Sequence, residues 1–217
     1  LGMMKEFGEQ PLGFECAGTV VAAGPEASFA PGDEVIVNYL GLMRRRVTVP
    51  SAVAVRKPAG LDLSQAAGLM SVYVTAYYAL HRLAGMKAGD RVLVHAAAGG
   101  VGQAATHLAR LAGAEVFATA SPHKWPLLRE QGVEHVMNSR TLDFAGEIER
   151  ITGGLGVDIV LNSLNRDFIP AGMQSLGRHG RFVELGKVGV WTPEQVAAER
   201  PDVSYFTFDL SELPQDR

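Results

Sequence analysis

One cysteine in 217 residues, Cys16, excludes an internal disulfide and any metal site built on several thiolates. So low a thiol content suits a reducing, cytoplasmic setting. Long apolar runs are missing as well: none reaches the ~20 residues that a membrane-spanning helix requires, so no membrane partner is expected. Basic runs are equally scarce. The longest is Arg44-Arg45-Arg46 in a chain of formal net charge -3, which argues against a nucleic-acid partner; the triplet reads as the solvated edge of a strand or loop. There is no internal repeat and no low-complexity segment. The opening Leu1-Gly2-Met3 has neither a charged leader nor an apolar signal core, which predicts a piece of a longer polypeptide.

What is present is a globular composition, 47% hydrophobic and 20% charged, enough for one sizeable core or for a large and a small one. Residues 1–83 read as short strands punctuated by glycine and proline, at 18–24, 33–37, 47–49 and 52–55. A helix follows from Ser64 to Leu80, with Leu63-Ser64 as its N-cap region and Ala66, Ala67, Met70, Val74, Tyr77 and Tyr78 at helical spacing. Tyr77 and Tyr78 read as core residues of that helix. Residues 84–217 then alternate strand and helix. Strands are expected at 91–95, 115–119, 135–138, 158–162 and 181–185, and helices at 101–112, 124–131, 143–152 and 168–176. Runs such as Val92-Leu93-Val94 and Ile159-Val160-Leu161 fit strands covered on both faces. The expected fold class is α/β, a doubly wound parallel-sheet (Rossmann) domain with a smaller β-rich module before it.

Between the first strand and helix of the α/β region lies Ala97-Ala98-Gly99-Gly100-Val101-Gly102, the dinucleotide fingerprint with alanine for its first glycine. Gly99 would let the backbone approach a pyrophosphate, Gly102 would let helix and strand pack closely, and, after Gly100, the N-terminus of the helix from Val101 would face the anion. Ala97 is tolerable where φ stays negative. An NAD site usually places Asp or Glu about 20 residues on, to bond the ribose 2'-hydroxyl. Here Ser121 stands nineteen residues past Gly102, followed by Lys124. A hydroxyl and a cation suit a 2'-phosphate instead, and Arg140 after the third strand offers a second clamp. NADPH is the expected cofactor.

Five segments extend the pattern: His95–Gly102, Phe117–Lys124, Val157–Leu164, Gly180–Lys187 and Phe208-Asp209. Together they resemble the enoylreductase domain of modular polyketide synthases and the related animal-type fatty acid synthase, a zinc-free branch of the medium-chain dehydrogenase/reductase superfamily. The resemblance implies that the β-rich part is an incomplete GroES-like substrate module, and that a closing C-terminal segment of the domain is absent. It implies as partners an acyl carrier protein bearing a phosphopantetheine-bound enoyl chain and the neighbouring domains of a multienzyme, and it admits a homodimer. No metal is expected: zinc-using relatives carry His where Phe14 stands, and one cysteine with scattered histidines gives no ligand set. Cys16 reads as a small buried strand residue.

The implied reaction is hydride addition to the β-carbon of an α,β-unsaturated thioester, then protonation of the α-carbon. It needs a donor near the thioester oxygen and a proton source. Lys187 and Asp209 each follow an apolar strand-like stretch and so would reach the carboxyl edge of the sheet. The family's candidate proton-delivery pair, the lysine of its G-K segment and the aspartate of its F-D segment, matches the same two residues. Many relatives have tyrosine where this chain has Met4, and a thioether cannot donate a proton; an α-methylated substrate would then be protonated on the opposite face. Asn162, at a strand end, is a candidate for bonding the nicotinamide or its ribose. Thr75 resembles a family position lining the nicotinamide pocket, whereas His95 reads as a satisfied strand-end histidine. Two other readings stay open: a free-standing zinc-free quinone oxidoreductase, and a structural domain that keeps NADPH binding, or only the fold, without catalysis.

Overall fold

A computed structural model of the chain describes residues 12–209; Met4 and its expected stereochemical consequence lie outside them. The described residues form two compact units, 12–72 and 73–209.

In the first unit, β1 (Glu15–Thr19), β2 (Glu34–Asn38) and β3 (Ala54–Arg56) make an antiparallel sheet in that order. Cys16 lies opposite Val37, and Ile36 opposite Val55. Val35, Val37 and Leu42 form a small core against which Cys16, Phe29, Val49 and Val53 pack. The strand expected at 18–24 stops at Thr19. Beyond it only Val20 keeps a ladder bond, its N–H to the Asp33 carbonyl at 2.9 Å, and residues 21–24 turn out to solvent. Val49 packs on the core without strand pairing, while Val47 and Thr48 are exposed, so 47–49 is a loop rather than a strand.

The long helix expected from Ser64 is two helices. Asp62, not Leu63-Ser64, is the cap: its carboxylate accepts the Gln65 N–H at 2.7 Å, and the Gln65 side chain accepts the Asp62 N–H at 3.0 Å. That capping box starts α1 (Leu63–Ala66). Gly68, costly in a helix by about 1 kcal/mol relative to alanine, sits in the turn before α2 (Met70–Tyr77). A π-helical turn, Tyr78–Leu83, follows, closed by the Ala84 N–H on the Ala79 carbonyl at 3.0 Å.

In the second unit, β4 (Arg91–Val94), β5 (Glu115–Ala120), β6 (His135–Asn138), β7 (Val157–Asn162), β8 (Leu176–Glu184) and β9 (Ser204–Thr207) form one sheet, ordered β6-β5-β4-β7-β8-β9. Every pairing in it is parallel. Val92, Leu93, Val94, Ile159 and Val160 have no solvent exposure, as expected of strands covered on both faces. The intervening helices are α3 (Gly100–Leu111), α4 (Trp125–Glu130), α5 (Phe144–Thr152), α6 (Phe168–Ser175) and α7 (Pro193–Glu199). Strand β8 begins five residues before the expected Arg181. Its extra segment pairs Leu176 with Val157 across a bulge, with His179 at φ 58.

The sequence grammar changes at about residue 83, yet the boundary between the units falls between Val72 and Tyr73. The reason is packing. Ala79 and Leu80 are fully buried, Tyr78 stacks on Phe208 at 4.8 Å, and the Arg181 guanidinium donates to the Ala84 carbonyl at 2.9 Å. Tyr77, expected in the core, is 48% exposed, its ring tilted against that of His81 at 4.8 Å.

Candidate active site

The strand order reverses between β4 and β7, so the crevice outside the carboxyl ends of these strands is where a doubly wound sheet takes its ligand. The chain leaves β4 through His95, passes Ala96 at φ 50, and enters α3 at Gly99, which caps the helix with backbone alone. Ala97 is fully buried and is not among the positive-φ residues, so a methyl group fits where the fingerprint has glycine. Gly102 has no such latitude. A Cβ there would stand 2.5 Å from both the Ala96 oxygen and the Ala97 Cα. The first-turn N–H groups of Gly100, Val101 and Gly102 have no intrahelical acceptor. No side chain caps them and no acidic residue sits in the first turn. An anionic diphosphate fits such an end.

Ser121, half-buried, follows β5 and precedes a 3-10 turn, Pro122–Lys124. The Trp125 indole N–H donates to the Ala120 carbonyl at 3.0 Å and fixes that turn to the strand end. Across the neighbouring β6, the Ser139 N–H bonds the same Ala120 carbonyl at 3.1 Å, while the Arg140 N–H caps on Asn138 Oδ1 at 3.0 Å. Ser121, Lys124 and Arg140 are thus gathered at one edge, with both cationic side chains exposed. Thr75 lies half-buried on α2.

Lys187 and Asp209 come together: the Lys187 Nζ donates to the Asp209 carboxylate, with the side chains 43% and 29% exposed. Asn162 is placed differently from its expected role toward the nicotinamide. It is fully buried, its Nδ2 donates to the Leu164 carbonyl and to Glu184, each at 2.7 Å, and its Oδ1 accepts the Leu164 N–H at 3.1 Å. Both amide hydrogens are committed within the protein, so the side chain shapes the turn after β7 rather than reaching a ligand. Glu184, which sequence reasoning passed over, is 1% exposed at the end of β8. A carboxylate directly after the apolar pair Phe182-Val183, at a strand end, was the available signal.

His95 is only partly satisfied. Its Nδ1 shares a hydrogen bond with Thr119 Oγ1 at 2.9 Å, its ring meets Phe144 edge-on, and its buried Nε2 has no partner. Burial pushes the imidazole down from 6.5 to about 3. The unfolded chain therefore takes up this proton first as pH falls. The His95 contribution to stability is complete above about 6.5 and is lost toward pH 3, at about 1.4 kcal/mol per pH unit for one proton. Urea denaturation between pH 7 and pH 4 should show this slope, and His95→Gln should flatten it.

A family model for zinc-binding dehydrogenases matches residues 100–208. The pikromycin polyketide synthase component PikAII of Streptomyces venezuelae is 46% identical over 209 residues, 95% of this chain and 6% of that protein. The crystal structure of CurK enoyl reductase superposes with a TM-score of 0.91 at 52% identity, over 95% of this chain and 63% of that one. For the apo form of JamJ enoyl reductase the values are 0.87 and 42%, over 98% and 68%. The chain belongs to the enoyl reductase family. Within it, the chain groups with the polyketide synthase domains of the medium-chain dehydrogenase/reductase superfamily. This enoyl reductase chain spans a small part of PikAII and less than two thirds of the CurK domain.

Another neighbour in fold, mycobacterial Rv1454c, was solved complexed with NADPH; it has a TM-score of 0.81 at 29% identity, over 91% of this chain and 64% of that one. A nucleotide cofactor accords with the uncapped α3 terminus. The matching family is described by zinc, yet among the described residues no group of three or more His, Cys, Asp or Glu is placed to hold a metal ion. Among them, too, no helix is long and apolar enough to cross a membrane.

Proposed function

We propose that the chain reduces the α,β-double bond of an enoyl thioester with NADPH, the acyl group being carried by an acyl carrier protein within a modular multienzyme. The observation that carries this reading is the Lys187–Asp209 ion pair, formed just past β8 and β9 in the sheet whose β4 leads into the nucleotide turn. When bound, NADPH supplies the hydride for the β-carbon. As that electron pair arrives, the alkene pair moves toward the carbonyl and negative charge grows on the thioester oxygen. The Lys187 ammonium would stabilise this charge. The α-carbon then takes a proton from Lys187, which Asp209 holds in place. One C=C bond is replaced by two C–H bonds, leaving the saturated thioester and the oxidised nucleotide. Residues 73–209 serve as the nucleotide-binding domain and 12–72 as part of the substrate module.

Ser121, Lys124 and Arg140 would hold the 2'-phosphate, and Gly99, Gly100, Val101 and Gly102 the diphosphate. Alanine at both Lys124 and Arg140 should weaken NADPH by about tenfold or more and leave NADH nearly unchanged, since charged hydrogen bonds are worth about 1.5–3 kcal/mol and exposure reduces that. Fluorescence titration with both nucleotides checks it, and equal losses would remove the phosphate role. The function itself is tested by NADPH oxidation with crotonyl and 2-methylcrotonyl pantetheine thioesters beside a quinone. Turnover of a thioester is the expected result; turnover of the quinone alone overturns the reading.

A further inference from the structure

The last rungs of three adjacent strands stand side by side: Asn162 of β7 opposite Glu184 of β8, and Glu184 opposite Thr207 of β9. Glu184 gathers three N–H groups there. Its Oε2 accepts from Asn162 Nδ2 at 2.7 Å, its Oε1 from the Gly186 N–H at 2.6 Å, and its backbone carbonyl from the Phe208 N–H at 3.1 Å. Gly186 immediately precedes Lys187, and Phe208 immediately precedes Asp209. Both arms of the ion pair are therefore suspended from one buried residue.

The chemistry of the contact calls for a carboxylate. Two donors converge on its two oxygens, and a glutamine offers only one oxygen acceptor in the same volume. Burying a carboxylate on N–H donors costs several kcal/mol before those bonds offset it. Here burial pushes the carboxyl above its ordinary value, against the pull of the Asn162 and Gly186 bonds. Burial also pushes the neighbouring Tyr205 phenol up to about 12, and the charge of Glu184 adds to that shift. Gly186 is fitted to the same contact, since a Cβ there would stand 2.6 Å from Glu184 Oε1. A carboxylate kept at this energetic cost, three residues before Lys187 and bonded to the Gly186 N–H, on a residue whose backbone carbonyl holds the N–H of Phe208 ahead of Asp209, has a task that hydrophobic packing would not perform.

We propose that Glu184 is a positioning residue for the Lys187–Asp209 pair, setting the two backbone segments from which the ammonium and the carboxylate meet. This rests on the reading of that pair as the proton-delivery machinery. In the intact protein, with crotonyl pantetheine and NADPH, Glu184→Gln should lower kcat at least tenfold and leave NADPH affinity within about twofold. In the Lys187→Ala background the same change should cost nothing further, because nothing is left to position. Gly186→Ala, which displaces Oε1 but keeps the carboxylate on Asn162, should reproduce the kcat loss even if Glu184→Gln does not fold.

The outcomes separate the two ideas. Full turnover of Lys187→Ala overturns the assignment of the pair, and this proposal with it. A slow Lys187→Ala beside a fully active Glu184→Gln or Gly186→Ala overturns the positioning role alone. An equal, multiplicative loss in the Lys187→Ala background, or a parallel loss of NADPH binding, marks Glu184 as general scaffolding and likewise overturns it.

Discussion

Turnover of a crotonyl thioester is expected to fall about 100-fold or more when Lys187 is replaced by alanine, while the thermal midpoint barely moves. The two halves of this result have different origins. The Lys187–Asp209 pair is partly exposed, at 43% and 29%, and exposed ion pairs are worth only about 0–1 kcal/mol because water and salt screen them. Stability is thus nearly indifferent to its loss. A positioned acid, by contrast, contributes about 10²–10⁴ in rate, and alanine cannot supply the proton. Asp209→Asn should cost less than Lys187→Ala, since asparagine still accepts a hydrogen bond from the ammonium but no longer attracts it as an ion. Stopped-flow or steady-state NADPH oxidation beside a melting curve measures both halves. A Lys187→Ala protein with full turnover would exclude the residue from the reaction.

A second large effect is expected from one methyl group on α3. Gly102→Ala places a Cβ 2.5 Å from the Ala96 oxygen and the Ala97 Cα, and 2.7 Å from the Ala97 carbonyl carbon. All three are backbone atoms, so no side chain can rotate away, and either the helix lifts off β4 or the turn opens. Overpacking typically costs about 1–3 kcal/mol, and nucleotide binding should be lost because the first-turn N–H groups move with the helix. Gly146→Ala on α5 is the matched control. Its Cβ meets nothing within 4 Å, so helix propensity alone acts and stability should rise by up to about 1 kcal/mol. The same substitution should thus have opposite signs on two helices of one domain, as denaturant titration of both variants will read.

The α/β half was legible because its signals are local. Val92-Leu93-Val94 and Ile159-Val160-Leu161 are buried strands, and the chain between 91 and 176 follows its apolar pattern closely. The N-terminal half was less so. Val20-Val21-Ala22 has the apolar look of a strand, but strand formation depends on a partner, and the ladder ends one residue past Thr19. Residues 176–180, Leu-Gly-Arg-His-Gly, carry no strand signal; Leu176 joins the sheet by pairing with Val157, and the segment then bulges through His179 before pairing resumes at Arg181. Helix α7 was overlooked although Thr192, Pro193 and Gln195 spell a capping box.

The site divides in the same way. The turn at Gly99–Gly102 and the segments carrying Lys187 and Asp209 stand in the sequence as motifs, whereas the hydrogen bonds of Asn162 and Glu184 do not. Those depend on two strand ends meeting across a separation of 22 residues. Only the sheet register brings them together.

The unit boundary at Val72 and Tyr73 also bears on chimera engineering. A graft joined at the visible change of grammar, near residue 83, would take Tyr78, Ala79 and Leu80 from the donor. It would leave the recipient sheet with a foreign surface under Phe208, next to Asp209. A splice placed ahead of Tyr73 carries the π-helical turn along with the sheet it packs on, and so transplants the α/β unit together with the aromatic floor beside Asp209.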